Sequence, residues 1–519
     1  MRRAPLLLAL AAGSVAGIAA ARAQIAPPSP AAPTAGAPEA GFVEEKIRIP
    51  IFGRVKVYRP EPVQRTQGVV LFVSGDGGWK LGVVEMARRI APRAIVVGLP
   101  LPAWRKVAEM TRDGCWYPAG DLESTAQTVE KIYHLPRYLK PILVGFSSGA
   151  TAVYGALAQA PADTFAGAVS LGFCPDLGVA RPWCAHDDWR PDYDPKKKIA
   201  WLLARRDLAP RPDGTPRWTI LQGTADRVCD PEGAAAFASK IPAARLVALP
   251  RVGHGFGVTR NWAEAYDQAI AALIEPETAW DPLPEEKRRI VLTRAPEEIR
   301  RRLEGLDLPL EVEWPAQARA ALIFVSGDGG WAELDRRVAT SLAGRGVGVV
   351  GWNSLRYFWQ AKTPDRFRAD LDRVVEALPE EVPLFAGGYS FGAEVVPATV
   401  ASARAAVAPQ PLSRVKGLVL IAPGPYAAFE VSPLDWLRTS EPETEHSVRK
   451  SLLSLEGLPV LCLEPGDGAA SGCPDGAVRG LTRVQMHGGH HFAGDYEALA
   501  DRALSFLEAA APAPAAVEN

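Results

Sequence analysis

The stretch "PILVGFSSGATAVYGALAQA" (141–160) decides the fold. A short apolar run ends in Gly-x-Ser-x-Gly (145–149) and passes at once into a helix-forming segment. The sharp turn this demands is one that flanking glycines permit, and it projects a serine oxygen beyond the end of a strand, beside a helix N-terminus. The same order recurs in "VPLFAGGYSFGAEVVPATVASARAA" (382–406), with Gly-x-Ser-x-Gly at 388–392. Ser147 and Ser390 are therefore the candidate nucleophiles.

Working outward, each copy has the same upstream neighbour. "VSGDGGW" stands at 73–79 and again at 325–331, each time after an apolar run. Helix-like segments (80–91 and 333–344), apolar strands ("AIVVGLP" and "VGVVGW") and amphipathic segments (121–134 and 365–377) follow in the same order. Short apolar strands alternating with helices predict a mostly parallel sheet covered on both faces. The chain reads as two tandem copies of one α/β domain, over 41–280 and 306–511, joined by a polar, proline-punctuated linker at 281–305.

The ends carry other expectations. Met1-Arg2-Arg3, an Ala/Leu-rich core and small residues at Ala21 and Ala23 predict a cleavable secretory signal over 1–23, with a retained N-terminal anchor as the alternative. A Pro/Ala-rich tether follows at 24–40, and 512–519 reads as a disordered tail. Lys+Arg number 58 and Asp+Glu 59, so the formal net charge of −1 points to neither nucleic acid nor an anionic membrane. Exported cysteines can oxidise. Of the six, Cys462 with Cys473 and Cys174 with Cys184 flank single loops and are the expected disulfides, which leaves Cys115 to Cys229 by elimination.

A serine nucleophile needs an imidazole base and a carboxylate that orients it, and in this layout both lie downstream in the order Ser, acid, His. The first copy offers Asp226 after the strand of "WTILQGTADRVCD" and His254 in "PRVGHGFG". The second offers Asp467, with Glu464 as a rival, in "LEPGDGAASGCP", and His490 or His491 in "GGHHF"; alignment on "VGHGF" favours His490. His487 reads as a loop residue. The twice-used "SGDGG" sits where main-chain amides receive the oxyanion of an acyl-transfer intermediate. The expected donors are Gly75 or Asp76 with Ser148 in the first copy, and Gly327 or Asp328 with Phe391 in the second. Ser74 and Ser326 precede the turn and are poor nucleophile candidates. The histidines lack metal-ligand spacing, so neither metal nor cofactor is expected.

"FVSGDGGW", "LDRRVATSLAGRGVGVVGWNSLRYFWQAKTPDRFRADL", "GGYSFGAEVVP" and "GGHHFAGDY" resemble the VirJ/AcvB bacterial virulence proteins, in the two-copy AcvB form. The resemblance extends to "VGFSSGATAVYGALAQAPADTFAGAVSLGFCPDL" in the first copy. It implies an α/β-hydrolase fold and periplasmic placement. It also implies hydrolysis of the aminoacyl ester of lysyl-phosphatidylglycerol, with a link to virulence through membrane-lipid homeostasis. That activity maps onto Ser390, Asp467 and His490. Where the family tends to an acidic "Y-G-x-[DE]" turn, this chain reads "LEPGDGAASGC". The expected partner is an aminoacylated phospholipid at the membrane surface, with a secretion-system or exported protein as a further one and no nucleic acid. A second class of function stays open, in which one or both copies are non-catalytic binding modules. Whether one or both copies turn over, lysyl against alanyl specificity, and the oligomeric state are left open by the sequence.

For the lysyl ammonium, Asp328 and Glu394 are both conceivable partners. Tyr357, Phe358 and Trp359, near a strand end, are expected in the core in preference to a lipid interface.

Overall fold

Within residues 41–73 the chain builds the first three strands of a sheet: β1 (Gly41–Ile49), β2 (Gly53–Glu61) and β3 (Val69–Val73). It is followed by β4 (Ile95–Leu99), β5 (Ile142–Phe146) and β6 (Gly167–Leu171). Three short strands, β7 (Asp176–Gly178), β8 (Asp192–Asp194) and β9 (Ile199–Trp201), form a separate small sheet. The main sheet then closes with β10 (Trp218–Gly223) and β11 (Ala244–Leu249), in the order β1-β2-β4-β3-β5-β6-β10-β11. Only the β1–β2 and β2–β4 pairings are antiparallel. This is the α/β-hydrolase arrangement, and it accounts for "VVLFV": a central parallel strand is covered on both faces, so all five residues are buried. Each such Val, Leu or Phe contributes about 1.5–3 kcal/mol by leaving water.

The computed structural model describes residues 41–110, 114–185, 189–283, 291–432, 446–466, 468 and 470–511. The leader at 1–23, the tether at 24–40, the tail at 512–519 and Asp467 lie outside the described residues. Among the described residues no helix is long and apolar enough to cross a membrane.

The second sheet repeats the first with β12 (Val291–Arg294), β13 (Leu310–Glu313), β14 (Ala320–Val325), β15 (Val347–Trp352), β16 (Leu384–Tyr389), β17 (Leu418–Ile421), β18 (Val460–Pro465) and β19 (Leu481–Met486). Its order, β12-β13-β15-β14-β16-β17-β18-β19, is that of the first sheet. Apolar clusters cover both faces of each sheet. The edge differs: β12 runs parallel to β13, where β1 and β2 form a hairpin.

That edge corrects the expected linker. From Val291 onward, the stretch read as a connection supplies β12 and the helix Glu297–Glu304 to the second sheet. The helix was hidden by its charge. Ile299 and Leu303 are its buried stripe, and ion pairs four residues apart, Arg302–Glu298 at 2.6 Å and Arg300–Glu304 at 3.0 Å, line the exposed side.

The disulfides correct the cysteine pairing in the first half. Cys462–Cys473 forms as expected, but the other two are Cys115–Cys184 and Cys174–Cys229. Cys174 and Cys229 follow β6 and β10, neighbouring parallel strands whose carboxyl ends lie side by side. Cys115 meets Cys184 because Trp116 and Trp183 bridge the two segments, with Trp116 N donating to Pro182 O and Cys184 N to Trp116 O. Sequence proximity misled where sheet adjacency decides.

The described residues fall in one compact unit, and the two halves touch through specific groups. Trp359 is buried, as are Tyr357 and Phe358, in keeping with the core expectation. Its indole N–H donates to the Leu135 carbonyl of the first half at 2.8 Å, and Lys131 stands over its ring while bonding Glu430 at 2.8 Å. Arg336 donates to the Ala162 carbonyl at 2.9 Å.

Candidate active site

Ser147 and Ser390 stand where β5 and β16 give way to the helices Ser148–Gln159 and Phe391–Ala405. Both have a positive φ, 57° and 50°, which is strained for a residue with a side chain and costs on the order of 1–3 kcal/mol. The surroundings hold each turn. Ser147 N donates to Leu171 O and Ser390 N to Ile421 O, both at 2.9 Å. The flanking glycines are required by space: a side-chain carbon at Gly149 would overlap the Val73 carbonyl, and one at Gly392 the Val325 carbonyl.

In the first half the three expected residues meet. His254 Nε2 lies 2.8 Å from Ser147 Oγ, and its Nδ1 lies 2.9 Å from Asp226 Oδ2. Asp226 is buried, and its other oxygen accepts from the backbone N–H of Val228 (2.8 Å) and Cys229 (2.9 Å). Those bonds fix the carboxylate, which in turn fixes the imidazole tautomer that would take a proton from serine.

In the second half His490 Nε2 lies 2.9 Å from Ser390 Oγ. The neighbouring His491 instead places Nδ1 3.2 Å from Tyr389 Oη, so the choice between the two histidines falls to His490. His487 is exposed. Glu464 is spent elsewhere: both its oxygens are held by Arg483, at 2.7 and 3.0 Å. Asp467, the other acid weighed for this half, lies outside the described residues.

The glycine-rich loops are pinned in the same way. Ser74 and Ser326 are fully buried pins, not nucleophiles. Each amide bonds the neighbouring strand, to Leu99 O and Trp352 O, and each hydroxyl accepts from the backbone of Leu101 or Ser354. Trp79 and Trp331 lie on Gly98 and Gly351, where any side chain would collide with the indole. The loops then pass the serines: a side-chain carbon on Gly75 would sit 3.0 Å from Ser147 Cβ, and one on Gly327 3.8 Å from Ser390 Cβ. Of the expected oxyanion donors, Gly75 and Gly327 thus lie beside the elbow serines, and Ser148 and Phe391 directly follow them at the helix starts.

The two mouths differ in charge. Asp76 bonds the Ser148 hydroxyl and the Arg105 guanidinium; burial alone would raise its pKa, but these two partners hold it below the usual carboxylate range. Asp328 has Phe391 in place of Ser148, and burial raises its pKa, with His490 opposing. Two more carboxyls face it. Glu394 lies against Gly424 and accepts its N–H, and burial, with Asp328 nearby, pushes it up to about 8. Glu123, from the first half's helix Pro118–Ile132, brings Oε1 within 3.8 Å of where a Gly329 side chain would begin. Burial and Asp328 push it up to about 8 as well. Tyr117, at the start of the same helix, sets its ring 6.2 Å from that of His491. Sequence reasoning missed Arg105 and Glu123. Arg105 is one cation among many on a polar helix, and Glu123 reaches the site only through the contact between halves.

Residues 320–511 match a family model described as bacterial virulence protein (VirJ). No curated protein sequence matches the chain. Among solved structures, TT1662 from Thermus thermophilus is 19% identical over 40% of this chain and 96% of that one, with a TM-score of 0.28. A lidless a/b serine hydrolase, XC6422 from Xanthomonas campestris, is 20% identical over 45% and 93%, at 0.27. The esterase domain of a Rhodothermus marinus protein is 15% identical over 45% and 98%, at 0.30.

Proposed function

With a second half that matches the VirJ family, we propose that this protein is a periplasmic serine esterase. Its preferred substrate in this reading, taken from the VirJ/AcvB resemblance of the sequence, is the lysyl ester of phosphatidylglycerol, cleaved to phosphatidylglycerol and lysine. The observation that carries the reading is the 2.9 Å contact of His490 Nε2 with Ser390 Oγ on a strained strand-to-helix turn.

Ser390 Oγ attacks the ester carbonyl carbon as its proton passes to His490 Nε2, with Asp467 as the acid that orients the ring. The oxyanion is received by amides of the Gly327–Asp328 loop and of Phe391. As the intermediate collapses, the C–O bond to the glycerol breaks and the leaving oxygen takes the proton from His490. Water, deprotonated by the same imidazole, then attacks the lysyl-enzyme, and Ser390 recovers its proton as lysine leaves.

The lysyl preference rests on charge. An ammonium entering beside Ser390 meets Glu123, Asp328 and Glu394, with no cation bound to them in the described residues. Charge-assisted hydrogen bonds of this kind contribute about 1.5–3 kcal/mol each. The first half is different: Thr151 stands at the place of Glu394, and Arg105 neutralises Asp76. Its Ser147–His254–Asp226 relay fits an ester whose acyl group carries no such charge. The test is release of free lysine from lysyl-phosphatidylglycerol by the wild type, Ser147→Ala and Ser390→Ala. Loss confined to Ser390→Ala supports the assignment, and undiminished release by Ser390→Ala overturns it.

A further inference from the structure

The carboxyl edge of the first sheet presents three loops around Ser147: 74–82 after β3, 224–230 after β10 and 250–262 after β11. Each contributes to the site through Gly75, Asp226 or His254. Each also turns an apolar side chain to solvent. Leu81 is 87% exposed, Val228 67% and Val258 49%, three of the eight large apolar side chains so exposed among the described residues. Leu81 is held out with a φ of 48°, a conformation unfavourable for leucine, at the start of the helix Gly82–Ile90.

Cations lie in the same three loops. Lys80 precedes Leu81, Arg227 precedes Val228, Arg260 stands two residues after Val258 and Arg251 near the start of that loop; all four are exposed, and no ion pair is formed by any of them among the described residues. Of the carboxylates in the same loops, Asp76 is paired with Arg105 and Asp226 with His254, which leaves Asp230, the N-cap of the following helix, against the four cations. The second half lacks this pattern. After its Trp331 come Ala332, Glu333 and a buried Leu334.

We propose that this edge of the first half docks on an anionic lipid bilayer, with Lys80, Arg227, Arg251 and Arg260 at the headgroups and Leu81, Val228 and Val258 inserted among them. Shallow apolar insertion reinforced by cations at anionic headgroups is a sufficient basis for peripheral membrane binding. A protein partner would leave the apolar tips unexplained unless it offered a matching groove, whereas a bilayer accepts three separate tips without one. With a chain charge of only −1, the attraction is local to this face. The inference is independent of which ester either serine cleaves.

The test is co-sedimentation of the full chain with vesicles of phosphatidylcholine alone or mixed with phosphatidylglycerol. The wild type should partition onto the anionic vesicles and be released by raised salt. Lys80→Glu/Arg251→Glu/Arg260→Glu should reduce that partition at least about tenfold. Leu81→Ser/Val258→Ser should reduce it as well, and unchanged melting temperatures would show that both variants remain folded. Equal partition onto neutral vesicles, no partition of the wild type, or wild-type partition by both variants would overturn the proposal.

Discussion

Glu123 of the first half approaches Gly329 of the second, within 3.8 Å of that glycine's side-chain position, and so joins the mouth of a site whose nucleophile is more than 250 residues further along the chain. The second half's chemistry is thus bordered by the first half. Replacing Glu123 by Gln should raise KM for a lysyl ester by about tenfold, a partial loss suited to a half-buried group, while kcat for a neutral acetyl ester stays unchanged. Steady-state kinetics on the two esters would check it.

The same carboxyls set a pH dependence. Glu123 and Glu394 are both pushed up to about 8, by burial first and Asp328 second, so in the empty site each holds a proton at neutral pH. A cation binds better once those protons leave. KM for the lysyl ester should therefore fall as pH rises from about 6 to about 8, with no such trend for the acetyl ester. The stability sign is opposite: a raised pKa stabilises the fold fully below the unfolded carboxyl range, and this contribution is lost as pH rises through about 8. Glu394→Gln should weaken both trends, leaving the part set by Glu123, read by kinetics and by thermal melts across pH.

Cys229 joins the disulfide with Cys174 and supplies one of the two amides that hold Asp226. Replacing both cysteines by serine should cost about 2–4 kcal/mol of stability. It should also slow the reaction of Ser147 while leaving that of Ser390 unchanged. Denaturant unfolding and labelling rates of the two serines would separate these effects.

Gly392 is fixed by the Val325 carbonyl, against which any added carbon would press. Gly392→Ala should cost about 1–3 kcal/mol and displace Ser390 from His490. Hydrolysis of the acetyl ester by the Ser147→Ala form should fall with it.

Much of this was legible in the sequence because it is written in local patterns. The two Gly-x-Ser-x-Gly turns, the paired "SGDGGW" loops and the histidine after each last strand are short motifs at fixed places in a repeated fold, and they find one another in space as expected. What failed depended on neighbours far apart in sequence. Cys174 meets Cys229 because β6 lies beside β10, and Glu123 matters because one half borders the other. The edge strand at Val291–Arg294 was obscured by the charged residues on either side of it. Net charge was equally uninformative, since a balance near zero conceals a cationic rim on one half and a carboxyl-lined mouth on the other.

The most direct measurement is intact-mass analysis after treatment with a fluorophosphonate. The wild type should gain two adducts, Ser147→Ala and Ser390→Ala one each, and the double variant none. An unlabelled wild type, or a double variant that still takes up the probe, would contradict the account.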